Sequence, residues 1–148
     1  MEEILNHMRV SFDARSVNEG LARMLVAAFM TDMNPTLEQM ADVKTAVSEA
    51  VTNAIIHGYN DEEENGQVLL VCERKGRELT VQVEDKGVGI ADIEAAMQPF
   101  YTTKPELERS GMGFSFMEAF MDRMEVTSVP GEGTCVTLWK YIAEGGEK

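Results

Sequence analysis

Four short stretches carry residue types that could do chemistry together. The first is EAVTNAIIHG, residues 49–58, in which Glu49, Asn53 and His57 recur at four-residue intervals among Ala50, Val51, Ala54, Ile55 and Ile56. That spacing puts a carboxylate, an amide and an imidazole on one face of a helix that is otherwise apolar. Buried polar groups need partners, so the stripe points to a polar groove. The second stretch is DKGVG, residues 85–89, directly after a strand-like run. Gly87 and Gly89 let the backbone approach a flat ligand closely. Asp85 offers an acceptor suited to the exocyclic amine of adenine. The third, SGMGF, residues 110–114, opens a helix. There Gly111 and Gly113 expose N–H groups at a positive helix end, which cradles phosphate. The fourth, FYTTKPELER, residues 100–109, sets Lys104 and Arg109 just before those glycines. Cations in that place complement phosphate.

A triphosphate between these loops requires a hard divalent cation. Asn53 supplies a carbonyl oxygen suited to Mg²⁺. Glu49, one turn away, is placed to take a proton from an attacking hydroxyl or to orient it. His57 is given a structural role at the helix end. Each stretch alone is a weak signal. D-x-G-x-G is as often a plain turn, paired glycines serve flexible loops, and most Lys and Arg are simply solvated.

The elements that must position these groups can be read from periodicity. Residues 8–14 alternate like a short strand. SVNE, residues 16–19, has the form of a capping box with Ser16 at the N-cap and Glu19 at N3, and a helix to about Met33 follows. Asn34-Pro35 breaks it. Thr36 with Gln39 forms a second capping box, starting a helix from Leu37 to His57 that Gly58 ends. YNDEEENG is a polar loop. Gln67–Arg74 and Leu79–Glu84 form a hairpin around a Lys75-Gly76 turn. Asp92–Gln98 reads as a short helix stopped by Pro99, residues 100–112 lack periodicity, and Gly113–Met124 is helical. Glu125–Ser128 and Thr134–Ile142 are strands around a VPGEG turn. Five strands and four helices of this kind bury their apolar faces as an α+β, two-layer α/β sandwich, with a mixed, mostly antiparallel sheet and helices on one face.

Composition bounds the function. The chain has 148 residues, of which 44% are hydrophobic, which suits one globular domain spanning 1–148. Its formal net charge of −13 repels a phosphate backbone, which argues against direct nucleic-acid binding and suits a basic protein partner. No apolar run approaches a membrane span, and MEEILNHMRV has no signal-peptide pattern. Cys72 and Cys135 read as small buried hydrophobes in a reduced, cytoplasmic protein. Eleven methionines are many; core filling is the simpler reason, an adaptable binding surface the sharper one.

The four stretches in this order resemble the ATP-binding (Bergerat) fold of the GHKL superfamily, which includes gyrase, histidine kinases and MutL. The Glu49–Asn53 helix resembles the N box, DKGVG the G1 box and SGMGF the G2 box. The stretch between the last two resembles the ATP lid, and Gly133-Thr134 stands where the superfamily keeps a threonine near adenine. SEAVTNAIIHGY and TTKPELERSGMGF further resemble the anti-sigma F factor family of endospore-forming bacteria. That likeness runs over nearly the whole chain and includes SVNEGLAR and GEGTCVTL. It implies a homodimer that holds a sigma F-like factor inactive. It also implies use of ATP to phosphorylate a serine on a small anti-anti-sigma factor. On this resemblance Glu49 is the catalytic base and Asn53 the Mg²⁺ ligand, while Asp85, Gly87, Gly89 and Thr134 hold the adenine of ATP or ADP. Thr103, Lys104, Arg109, Ser110, Gly111, Met112, Gly113 and Phe114 surround the phosphates. Arg23 contacts both protein partners, and the first helix with the preceding strand is the dimer face. Residues 100–112 would be a mobile lid ordered by the γ-phosphate. Ala91, where a Pro is common, and the acidic YNDEEENG depart from the family without touching this chemistry.

Rival readings differ in what they require. Gyrase-like hydrolysis draws a lysine from a second domain, and a histidine-kinase module joins a helical domain bearing the phosphorylated His. A nucleotide-gated anti-sigma module without kinase activity needs Asn53 and the glycines but not Glu49. A stress-response relative would share all of the chemistry.

Overall fold

Period-two alternation builds one sheet. In the computed structural model, which describes residues 3–58, 66–90 and 113–143, the strands are β1 (Ile4–Asp13), β2 (Gln67–Lys75), β3 (Glu78–Asp85), β4 (Arg123–Val129) and β5 (Gly133–Tyr141). Their order is β1-β2-β3-β5-β4. The expected two-layer sandwich is present. Its sheet, expected to be mixed and mostly antiparallel, is antiparallel at each of the four described pairings. Tight turns explain much of this, since β2–β3 and β4–β5 are joined by short connections that only antiparallel neighbours allow. β1 begins at residue 4 rather than 8. Its first residues lie on a sheet edge with Ile4 and Leu5 exposed, so no buried face imposes alternation there.

Among the described residues three helices cover one face: α1 (Asn18–Met30), α2 (Leu37–Asn53) and α3 (Gly113–Phe120). α2 packs against both others. Val43, Ala46, Val47, Ala50 and Val51 bury its inner stripe at the i, i+3, i+4, i+7 spacing of an amphipathic helix. They meet Leu70, Cys72, Leu79, Val81, Val83, Val136 and Leu138 from the sheet, together with Met30, Met33 and Met117. Core filling thus accounts for those methionines, whereas Met24 is exposed.

The helix ends divide the sequence expectations. The Thr36–Gln39 capping box forms in full: Gln39 N–H donates to Thr36 Oγ1 at 3.0 Å and Thr36 N–H to Gln39 Oε1 at 3.2 Å. The Ser16–Glu19 box does not form. Val17 occupies the N-cap of α1 in a helical conformation with no side-chain cap bond, and Glu19 is engaged elsewhere. α1 gives way to a 3₁₀ turn, Thr31–Met33, closed by Asn34 at φ 52°. α2 passes into a π-helical turn, Ala54–Gly58, which buries the consecutive Ile55 and Ile56. α3 ends at Phe120 rather than Met124. Met124 belongs to β4, where Met124 and Val126 pack toward the core between exposed Arg123, Glu125 and Thr127. Its apolar character fits either period, and pairing with β5 decides for the strand. The expected helix over 92–98 and lid over 100–112 lie outside the described residues.

Candidate nucleotide site

Glu49 and Asn53 lie four residues apart on α2, half-buried, and both aim at the first residue of α3. A Cβ placed on Gly113 would lie 3.4 Å from Glu49 Oε1 and 3.5 Å from both Asn53 Oδ1 and Nδ2. The Glu49–Asn53 part of the polar stripe therefore faces a helix N-terminus. Such an end carries unsatisfied N–H groups and a positive partial charge. The glycine leaves the space beside these side chains open. The π-helical turn begins directly after Asn53, so the four-residue register does not run on unchanged to His57. The side chain of His57 lies outside the described atoms.

A second polar group sits at the end of the sheet. Asp85, Thr134 and Ser128 are cross-strand neighbours on β3, β5 and β4, so they form one row on the helix-covered face. Asp85 is only 6% exposed. Burial pushes its carboxyl from 3.8 up to about 6, against the Gly87 and Thr134 N–H groups that pull it down, and the Glu84 charge adds to the rise. The Gly87 N–H donates to Asp85 Oδ1 at 2.8 Å. The result is a carboxylate held in place by backbone donors at low solvent exposure, able to accept one further N–H.

Ser128 is the residue the sequence reading missed. Its hydroxyl accepts the Ile90 N–H at 2.7 Å and donates to the Gly133 carbonyl at 3.0 Å. With that proton committed, the Thr134 hydroxyl, 2.9 Å away, is the donor to Ser128 Oγ. The Gly131 N–H to Val88 carbonyl bond, 2.7 Å, closes the same join. The DKGVGI loop is thus strapped to the β4–β5 turn. One local signal was available: Ser128 falls on the inward phase of Met124 and Val126, where a polar residue needs a reason.

The two glycines at this join each let protein backbone approach closely. Gly89 has φ +79°, and a Cβ there would be 2.4 Å from the Val129 carbonyl oxygen. Gly133 has φ +120°, and a Cβ there would be 2.1 Å from the Asp85 carbonyl oxygen. Both conformations favour glycine, and both contacts are with protein backbone. Phe114, expected near the phosphates, puts its ring in the core. Only its backbone at the start of α3 remains for a ligand. Thr103, Lys104, Arg109, Ser110, Gly111 and Met112 lie outside the described residues. Arg23 lies on α1, with its side chain 45% exposed. Of the two cysteines, Cys72 is buried, which pushes its thiol up to about 12. Cys135 is only half-buried. A groove of about 390 Å³ lined by Arg9, Ser11, Leu69, Glu84 and Lys86 lies on the outer face of the sheet, away from this row.

A polar pair facing a helix N-terminus and a buried carboxylate at the sheet end stand on an antiparallel α/β sandwich. The chain belongs to the histidine kinase-like ATPase domain family, whose description matches residues 10–140. Within that class it is similar to proteins named anti-sigma F factor. It is 55% identical over 137 residues to the one from Clostridium kluyveri, covering 93% of this chain and 95% of the relative. It is 52% identical over 140 residues to the one from Thermoanaerobacter pseudethanolicus, covering 95% and 96%. Among solved structures, the RsbU and RsbW domains of a Mycobacterium tuberculosis protein match with a TM-score of 0.68 at 19% identity, over 93% of this chain and 32% of that one. The nucleotide-free catalytic domain of the histidine kinase ThkA matches with a TM-score of 0.57 at 18% identity, over 91% and 96%. At these identities the structural likeness speaks to the fold.

Proposed function

We propose that this protein is an anti-sigma factor of the sigma F type that also acts as a protein-serine kinase on an anti-anti-sigma factor. The observation that carries the reading is the convergence of Glu49 and Asn53 on Gly113 at the head of α3. Identities of 52–55% to anti-sigma F factors over nearly the whole chain support the choice of partners.

In this reading adenine of ATP or ADP lies against Asp85, Gly87, Gly89 and Thr134, with the Asp85 carboxylate accepting from its exocyclic amine. The phosphates reach the N–H groups at the start of α3, and Thr103, Lys104, Arg109, Ser110, Gly111 and Met112 complete their surroundings. Among the described residues no group of three or more His, Cys, Asp or Glu gathers to hold a metal. A Mg²⁺ here fits a site made of the Asn53 carbonyl, phosphate oxygens and water, the usual coordination of that ion. When bound, it neutralises phosphate charge. Glu49 accepts the proton of the attacking serine hydroxyl, within reach of the same helix end.

The remaining parts of the proposal follow from surface. Arg23 would meet both protein partners. A homodimer would use β1 and α1, because β1 is an edge strand with unpaired backbone groups and exposed Ile4 and Leu5. We place the protein in the cytoplasm as one domain over 1–148. No described helix is long and apolar enough to cross a membrane.

Transfer of label from [γ-³²P]ATP to a purified anti-anti-sigma protein tests the chemistry. Glu49→Ala should lose transfer by about a hundredfold or more while binding nucleotide as before. Undiminished transfer would remove Glu49 from the role of base. Sigma-factor binding with no transfer in the wild type would leave a nucleotide-gated module.

A further inference from the structure

Three polar side chains stand in register across the end of the sheet, and each constrains the next. Asp85 on β3 pairs with Thr134 on β5, which pairs with Ser128 on the edge strand β4. They share the helix-covered face with Val83, Val136 and Val126, two residues along the same strands.

A serine hydroxyl has one proton and two lone pairs, and at Ser128 all three are taken. One lone pair accepts the Ile90 N–H at 2.7 Å. The proton goes to the Gly133 carbonyl oxygen at 3.0 Å, a group that only accepts. The other lone pair meets Thr134 Oγ1 at 2.9 Å, so the proton in that contact belongs to the threonine. Because β5 lies between β4 and β3, the single hydroxyl proton of Thr134 is directed toward β4, and its lone pairs are left for the β3 side. On that side stands the Asp85 carboxylate, only 6% exposed, with Oδ1 accepting the Gly87 N–H at 2.8 Å. An ionised carboxylate also only accepts. Asp85 and Thr134 therefore turn lone pairs, and no side-chain proton, toward a ligand at this end of the sheet.

Such an edge selects by the sense of the hydrogen bond. A 6-amino purine brings N–H hydrogens on its exocyclic nitrogen, whereas a 6-oxo purine brings lone pairs to the same place. The first gains partners and the second leaves acceptor facing acceptor. Polar groups fixed in one sense discriminate far more strongly than an apolar pocket does. Were the Thr134 hydroxyl free to turn, it would donate to the 6-oxo group and much of that discrimination would go.

We propose that Ser128 is a positioning residue that holds the Thr134 hydroxyl as an acceptor, and so makes the site select a 6-amino over a 6-oxo purine nucleotide. The assignment rests on the nucleotide reading of the Asp85–Thr134 row and gives a role to a residue that need not touch the ligand.

The test measures affinities of the full chain for ATP and ITP, which carry the 6-amino and the 6-oxo group, by displacement of a fluorescent ATP analogue at pH 7.5. Wild type should prefer ATP by about a hundredfold or more. Ser128→Ala should cut that preference about tenfold, chiefly through tighter ITP binding. Loss of the Ile90 strap alone would weaken both nucleotides alike and leave the ratio in place. Ser128→Thr keeps the hydroxyl and should keep the wild-type ratio. In a Thr134→Val background Ser128→Ala should leave the ratio unchanged, because its effect runs through Thr134. An unchanged ratio in Ser128→Ala, a lost preference in Ser128→Thr, or a change that persists in the Thr134→Val background overturns the positioning role. Should Ser128→Ala bind neither nucleotide, Ser128→Cys carries the test: it keeps the shape, its sulfur is a weak acceptor, and an unchanged ratio there overturns the proposal. A wild type that binds ATP and ITP equally overturns the proposal and leaves the nucleotide site standing. One that binds neither removes the nucleotide reading itself, and the proposal with it.

Discussion

Replacing Asp85 with Asn should make the nucleotide-free protein more stable and a poorer nucleotide binder. The Asp85 carboxyl titrates near 6 in the folded chain against an ordinary 3.8, chiefly because it is buried. Across that window the folded state keeps a proton that the unfolded chain has lost. Stability from this group is therefore greatest below 3.8, falls as pH rises through about 6, and is level above it. The displacement corresponds to a cost of about 3 kcal/mol at pH 7.5 and about half that at pH 5. An Asn at 85 stays neutral and escapes this cost, and its Oδ1 can still accept the Gly87 N–H now 2.8 Å from the carboxylate. Its amide NH₂ would face the Thr134 N–H where the carboxylate accepted, which returns part of the gain. A net stabilisation of about 1–2 kcal/mol at pH 7.5 is expected. Loss of a charge-assisted acceptor should weaken binding of an ATP analogue by about tenfold or more. Urea unfolding of both proteins at the two pH values, with fluorescence titration of the analogue, measures both quantities. An Asn variant no more stable than wild type at pH 7.5, or a difference that does not shrink at pH 5, would refute burial as the cause of the raised pKa.

In wild type, analogue affinity should rise between pH 5 and 7 with a midpoint near 6, as Asp85 loses its proton; a flat profile would place the adenine contact elsewhere. Gly133→Ala should cost upwards of about 3 kcal/mol, since its Cβ would meet the Asp85 carbonyl oxygen at 2.1 Å in a backbone at φ +120°. Gly131→Ala, at φ +83° with nothing within 4 Å, should cost about 1–2 kcal/mol; equal losses in thermal unfolding would contradict the packing of the join. Thr36→Ala should cost about 1 kcal/mol through the lost capping box, read as a shift in urea midpoint with unchanged nucleotide affinity.

The elements were largely legible because most of their signals are local. The Thr36–Gln39 box, the apolar Ala50 and Val51 of α2 and the β2–β3 hairpin each rest on neighbouring residues, and each forms as read. The misreadings fall where a local signal has two outcomes. Met124 suits a helix face or a strand face, and only pairing with β5 chooses. Ser16 with Glu19 has the form of a capping box, but Arg23 and Ser48 offer the carboxylate charge-assisted partners that a backbone N–H does not match. At the site, residue identity pointed to Glu49, Asn53 and Asp85 without saying what surrounds each of them.

By itself, the chain of residue types determined most of the segments that become helix or strand, which side chains have the chemistry of a base, metal ligand or purine acceptor, and that the protein is acidic. Those properties follow from backbone geometry, period and functional-group chemistry, all set within a few neighbouring residues. Tertiary structure alone decided that Glu49 and Asn53 face Gly113, that Ser128 ties the Asp85 loop to the β4–β5 turn, and that Glu19 serves Ser48 across 29 residues. It also decided where Asp85 titrates. Proton affinity and side-chain contact depend on what lies within a few ångströms in space, and packing brings those groups from segments far apart along the chain.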